Sequence, residues 1–180
     1  MLEVKFYDTV DDSLLKFAVI ISQSNGKWVF CKHKERDTWE VPGGHRESNE
    51  DIIDTAKREL FEETGAIDFD ISPICIYSVT APDNFDGVET FGKLFFAEIH
   101  TFEKELHSEI EKIAIMDELP INWTYPEIQP KLLEEARKRG FLPKKDEIKW
   151  LFFDVGSTLV DESKVYEDRM KRIAEISGLT

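Results

Sequence analysis

The stretch from Gly43 to Ala66, GGHRESNEDIIDTAKRELFEETGA, constrains this chain more than any other. Ile52, Ile53, Ala56, Leu60 and Phe61 recur at helical spacing, which predicts an amphipathic helix docked on a sheet. Ser48, with Asp51 three residues on, predicts the helix start as a loose capping box, and Gly65 predicts its end. Pro42, Gly43 and Gly44 predict a turn that brings backbone close to the helix. On the polar face, Glu59, Glu62 and Glu63 stand at i, i+3 and i+4, so their carboxylates share one side. Like charges there repel, a cost that a divalent cation among them would offset. All-oxygen ligands favour Mg²⁺ or Mn²⁺. Arg58 lies four residues before Glu62 and four after Asp54, placed to pair with carboxylates and orient them.

The glycines and acids also keep fixed offsets. Five residues separate Gly44 from Glu50, seven separate Glu50 from Arg58, and the run closes as Arg-Glu-Leu-x-Glu-Glu-x-Gly at Gly65. This pattern is the Nudix box, and the chain resembles the Nudix hydrolases over roughly residues 1–142. The resemblance implies an α/β/α sandwich with a mixed sheet. It also implies Mg²⁺-dependent (or Mn²⁺-dependent) hydrolysis of a phosphoanhydride, in which water attacks phosphorus and a nucleoside phosphate or pyrophosphate leaves. By the same resemblance Glu59 and Glu63 are the first metal ligands and Glu62 a third. Glu50 is a supporting carboxylate near a second metal or near Arg58, with Glu47 behind it. Gly43 and Gly44 offer backbone to metal or phosphate. A general base outside the box is expected at Glu109, with Glu111, Glu103 and Glu105 as alternatives. His33 and Trp39 are the candidates for contacting substrate; Trp28, Phe30, Tyr77 and Trp123 are read as core.

The flanks TWEVPGG and ELPINWTYPEIQPKLLEEA are similar to the branch of oxidised-dGTP diphosphatases and RNA 5′-pyrophosphohydrolases. Nucleoside triphosphates, 8-oxo-dGTP included, are the expected substrates, with an RNA 5′ end and then nucleotide sugars or ADP-ribose as alternatives. The asparagine that several oxidised-dGTP enzymes place near the last helix has no counterpart in YPEIQP. A ligand-sensing module without catalysis would be expected to lose box carboxylates, and all four are present.

Charge agrees with a metal-bridged acidic substrate. The net charge is −14 and the pI near 4.7, the opposite of a broad nucleic-acid footprint. Cys31 and Cys75 lie in apolar runs and are expected buried and reduced, which points to the cytoplasm. The N-terminus has no basic region before an apolar run, and no apolar stretch approaches membrane-spanning length.

Strands are expected at Leu2–Tyr7 (an edge), Leu14–Ser22, Lys27–His33, Asp37–Val41, Phe69–Thr80, Glu89–His100 and Ile110–Met116. Asn25-Gly26 predicts a tight hairpin. Tyr125–Arg139 predicts a second helix with Pro126 in its first turn and Gly140 as terminator. Residues 143–180 read as a linker and then a strand and helix. There the apolar run ending at Asp154, followed by Gly156-Ser157-Thr158-Leu159, resembles the first motif of haloacid-dehalogenase-like phosphatases. Asp154 matches that family's nucleophile, but Gly156 replaces its general acid and the later motifs are missing. The expectation is a truncated fusion, or an extension packed on the first domain, with no catalysis at Asp154 in either case.

Overall fold

The computed structural model describes residues 2–82, 87–103, 110–143, 167–168 and 171–173. The chain divides into two compact units, Met1–Lys144 and Lys145–Thr180. The first holds the elements below. The phosphatase-like motif at Asp154 lies outside the described residues.

Seven strands form one sheet in the first unit: β1 (Glu3–Tyr7), β2 (Leu15–Ser24), β3 (Lys27–His33), β4 (Gly43–His45), β5 (Ala66–Thr80), β6 (Thr90–Phe102) and β7 (Ile110–Met116). Their order is β1-β5-β6-β2-β3-β7, with β4 added alongside β2. β2 and β6 run parallel and the other pairs antiparallel, so the sheet is mixed. Two α-helices complete the unit, α1 (Ile52–Thr64) and α2 (Gln129–Lys138). Ile20, Val29, Phe95 and Ile99 pack with Ile52, Ala56 and Leu60 of α1. Ile21, Tyr77 and Leu94 pack with Leu132, Leu133 and Ala136 of α2. Successive strand residues thus feed opposite cores, which is why AVII and LFFA read as unbroken apolar runs. The result is the expected α/β/α sandwich.

Three expectations are corrected. Asp37–Val41 is not a strand: Trp39 and Glu40 make isolated bridges, to Trp123 and Cys31. The Gly43-Gly44 "turn" is β4 itself, because Gly43 and Gly44 pair with Val19 and Ala18. α2 begins at Gln129, with Pro130 in its first turn, because 125–128 close as turns ahead of it. The hairpin at Asn25 and Gly26 is as expected, both residues adopting positive φ (51° and 75°).

β2 has two partners on one edge. Its end, Ser22–Ser24, pairs with β3, while Phe17–Val19 pair with β4. The sheet therefore splits between β3 and β4, and Glu63 of α1 lines a cavity that Gln129 and Leu132 of α2 also line.

Candidate active site

α1 starts one turn later than the capping box predicts. Its N-cap is Asp51, whose carbonyl accepts from the Asp54 and Thr55 amides, and no side chain caps it. Gly65 ends the helix in the left-handed region (φ 72°), its N–H donating to the Phe61 carbonyl at 2.7 Å. Thr55 and Thr64 are fully buried along with the expected Ile52, Ala56 and Leu60. Thr64 satisfies its hydroxyl on the Leu60 carbonyl, so a β-branched polar residue packs there at no hydrogen-bonding loss.

Glu50 and Arg58 form the site's rigid frame. Arg58 Nε and Nη2 donate to the two Glu50 oxygens at 2.9 and 3.1 Å. Glu50 also accepts from the Thr55 hydroxyl (2.8 Å) and the Glu47 amide (3.1 Å). The Arg58 guanidinium beside it holds the Glu50 carboxyl down at about 2. Arg58 Nη1 donates to Glu59 (2.7 Å) and Glu62 (3.2 Å), and Nη2 to the His45 carbonyl. The expected pairing with Glu62 is present. The one with Asp54 is not, since Asp54 faces Lys57. Arg46, which sequence reasoning passed over, donates to the Glu50 carbonyl (2.6 Å) and to Asp12, fastening this frame to the loop before β2.

Glu59 and Glu63 sit deeper. Glu63 Oε2 accepts from the Gly43 amide at 2.8 Å and from the Cys31 thiol at 3.6 Å. Burial pushes the Glu63 carboxyl up to about 8, opposed by the Gly43 N–H and reinforced by the negative charges of Glu59 and Glu40. Glu59, 9% exposed, is also raised by burial, with Arg58 opposing. Cys31, fully buried, is pushed well above its usual value by burial and by Glu63 and Glu40. Gly44 is glycine because a Cβ there would overlap the Glu59 carboxylate.

Anions buried beside one another, with too little positive charge to settle them, are suited to a divalent cation. Among the described residues no group of three or more His, Cys, Asp or Glu side chains is set to hold a metal ion. Mg²⁺ does not need one, because it keeps waters and substrate phosphates and uses one or two carboxylates. Glu59 and Glu63 would supply those, with half-exposed Glu62 beside them.

A cavity of about 620 Å³ opens beside Glu63, a size suited to a nucleotide. Gly43, Gly44, Glu63 and His33 line it, so the structure brings these expected residues together. Trp39 is not among the lining residues: its ring lies against Lys112 Nζ, 5.6 Å from the ring centre. Glu109 and Glu105 lie outside the described residues. Glu111 pairs with Lys32 at 3.1 Å, and the Glu103 amide donates to the Gly65 carbonyl. Glu40, Arg36, Tyr77, Tyr125 and Gln129 also line the cavity and were not foreseen there. The signal for Glu40 was an acid set between Trp39 and Val41 in an otherwise apolar approach to β4. Gln129 is the first residue of α2, which the helix expected from Tyr125 had buried in mid-element.

A family description, "NUDIX domain", matches residues 13–144, and the chain belongs to this family of hydrolases. It is similar to a Bacillus subtilis (strain 168) protein named "Putative 8-oxo-dGTP diphosphatase YtkD", 29% identical over 121 residues, 67% of this chain and 73% of that one. A 34-residue segment is 56% identical to the Mus musculus protein "Nucleoside diphosphate-linked moiety X motif 6", covering 19% of this chain and 11% of that one. Among solved structures, the Bacillus subtilis pyrophosphohydrolase BsRppH superposes with a TM-score of 0.64 at 24% identity, over 78% of this chain and 92% of that one. That likeness bears on the fold, which the two share. No helix among the described residues is long and apolar enough to cross a membrane.

Proposed function

We propose that the chain is a Mg²⁺-dependent pyrophosphohydrolase of nucleoside triphosphates, 8-oxo-dGTP and ordinary dNTPs among them. The observation that carries this reading is the approach of β4 to α1: Gly43 N–H on Glu63 and Gly44 against Glu59, at the floor of a nucleotide-sized cavity. Similarity to the Bacillus subtilis diphosphatase supports the triphosphate class. The cytoplasm is the compartment we assign, from two buried free thiols. Residues 1–142 are taken as the hydrolase domain and 143–180 as a linker with a separate terminal segment.

Glu59 and Glu63, with Glu62 and the Gly44 backbone, would hold the ion. A divalent ion there supplies charge neutralisation at the transferring phosphoryl group. Arg58, locked on Glu50, keeps Glu59 and Glu62 aimed at one place, so Glu50 acts as the anchor of that arginine. The Gly43 amide orients Glu63. Phe17, Val19, Leu2 and Val79 form apolar wall against which a nucleoside can shed water. Glu109 is retained as the proposed general base.

Pyrophosphate release with Mg²⁺, measured over dNTPs, 8-oxo-dGTP, ADP-ribose and triphosphorylated RNA, tests the proposal. Turnover of the triphosphates is expected. Turnover confined to ADP-ribose or to RNA would replace the substrate class, and ligand binding without turnover of any would make the chain a sensor.

A further inference from the structure

Beside the α1 carboxylates, the cavity is lined by a further acid, Glu40. Glu40 is 7% exposed and lines the wall near α2, in the company of Tyr125 and Gln129. Its backbone is fully used, pairing with Cys31 in both directions. Its carboxylate is not. Arg36, at the cavity mouth, reaches one oxygen with a long contact of 3.3 Å. The Thr124 hydroxyl supports it, itself hydrogen-bonded to Thr38 at 2.8 Å. A carboxylate offers about four acceptor positions. Arg36 and Thr124 take two, and the remaining positions belong to a side chain that lines the cavity. A ligand's N–H donors can take up such positions where bulk water is scarce.

The arrangement selects the ligand by its donor pattern. Two adjacent N–H donors match a carboxylate edge-on. The guanine Watson–Crick edge offers them as the ring N1–H beside the exocyclic N2 amine. Adenine and cytosine set an acceptor nitrogen beside their amine, which would meet the carboxylate lone pairs. Thymine and uracil present one N–H between two carbonyls. Hydrogen bonds of this kind to the Watson–Crick edge are how proteins read an unpaired base.

We infer that Glu40 is a specificity-determining residue whose carboxylate reads the N1–H and N2–H donors of a guanine-type base, with Arg36 holding it from the mouth. This rests on the nucleoside-triphosphate reading above and names the base class for it. Because the contact lies on the Watson–Crick edge, Glu40 is blind to position 8. It accepts guanine and 8-oxoguanine alike.

The test compares kcat/KM for dGTP, dITP, dATP, dTTP and 8-oxo-dGTP in the wild type, Glu40→Gln and Glu40→Asp, together with calorimetric binding of dGMP and dIMP. Deoxyinosine keeps N1–H and lacks the 2-amino group. The wild type is expected to prefer dGTP over dITP by roughly tenfold to a hundredfold, the range of a bidentate base contact. In Glu40→Gln one acceptor becomes a donor, the preference collapses, and dGTP and 8-oxo-dGTP fall by the same factor. Equal wild-type rates on dGTP and dITP would overturn the inference, and that arm does not depend on any variant folding. So would a uniform loss on every nucleotide in Glu40→Gln and Glu40→Asp, which marks a structural role. If no nucleotide is turned over and neither monophosphate binds, the triphosphate reading itself fails and takes this inference with it.

Discussion

At the scale of single residues the site depends on atoms that are missing as much as on those present. A Cβ at Gly44 would occupy the space of the Glu59 carboxylate. Gly44→Ala should therefore displace Glu59 and leave the sandwich standing. Activity is expected to fall at least about a hundredfold, since an ångström of misplacement in a positioned group costs that much. Circular dichroism and the unfolding midpoint should change little; a fully active Gly44→Ala enzyme would contradict the packing described. The carboxylates of Glu59, Glu62 and Glu63 were legible from spacing alone, because helix periodicity fixes which side chains share a face. Glu40 was not, because its role depends on the split between β3 and β4, and no local pattern records a split. Trp39, an aromatic beside the glycines, carries its ring against Lys112, a contact that no local pattern records either.

At the scale of elements, α1 is held by its packing and by its ends. Gly65 takes φ 72° to close the helix and hands the chain directly to β5. Gly65→Ala forces a side chain into the left-handed region, at about 1–2 kcal/mol. An unfolding midpoint lowered by a few degrees, with metal affinity unchanged, is the expected result. A neutral or stabilising substitution would show that the Gly65 conformation is not required. Strands Lys27–His33 and Ile110–Met116 were legible to the residue, being bounded by a tight turn and by polar loops. Helix starts were less so. Ser48 has the better capping chemistry, yet Asn49 adopts positive φ (65°) and the chain turns again before Asp51. Tyr125 and Pro126 look like a helix start, but their turns serve to carry Thr124 and Tyr125 to Trp39 and Arg36. In both cases tertiary contacts outweighed local preference.

At the scale of the whole molecule, a chain with a net charge of −14 concentrates part of that charge where water is scarce. The α/β/α layering was legible because two-sided burial leaves continuous apolar strands. The depth of the acidic cluster was not, because burial is a property of the assembled sheet. Its consequence is a stability that depends on pH. Glu63 has its carboxyl raised from 4.5 to about 8, so between these values the native state keeps a proton that the unfolded chain has lost. Stability without a divalent ion should thus decline as pH rises through that window and level off above it. His100, raised by Asp70, contributes in the same direction, so the Glu63 share is the part that Glu63→Gln removes. A bound cation replaces the proton and reverses the decline.

The central claim is that Glu59 and Glu63 form the seat of a divalent ion, and the thermal unfolding midpoint against pH, with and without saturating Mg²⁺, addresses it most directly. From pH 5 to 8 the ion-free wild type should lose roughly 10 °C. Mg²⁺ should restore that loss, with its largest effect near pH 8, and Glu63→Gln should lack the Glu63 share of the decline and the rescue that goes with it. A wild-type midpoint that ignores Mg²⁺ at every pH, or a Glu63→Gln protein that Mg²⁺ stabilises as strongly as the wild type, would contradict the account.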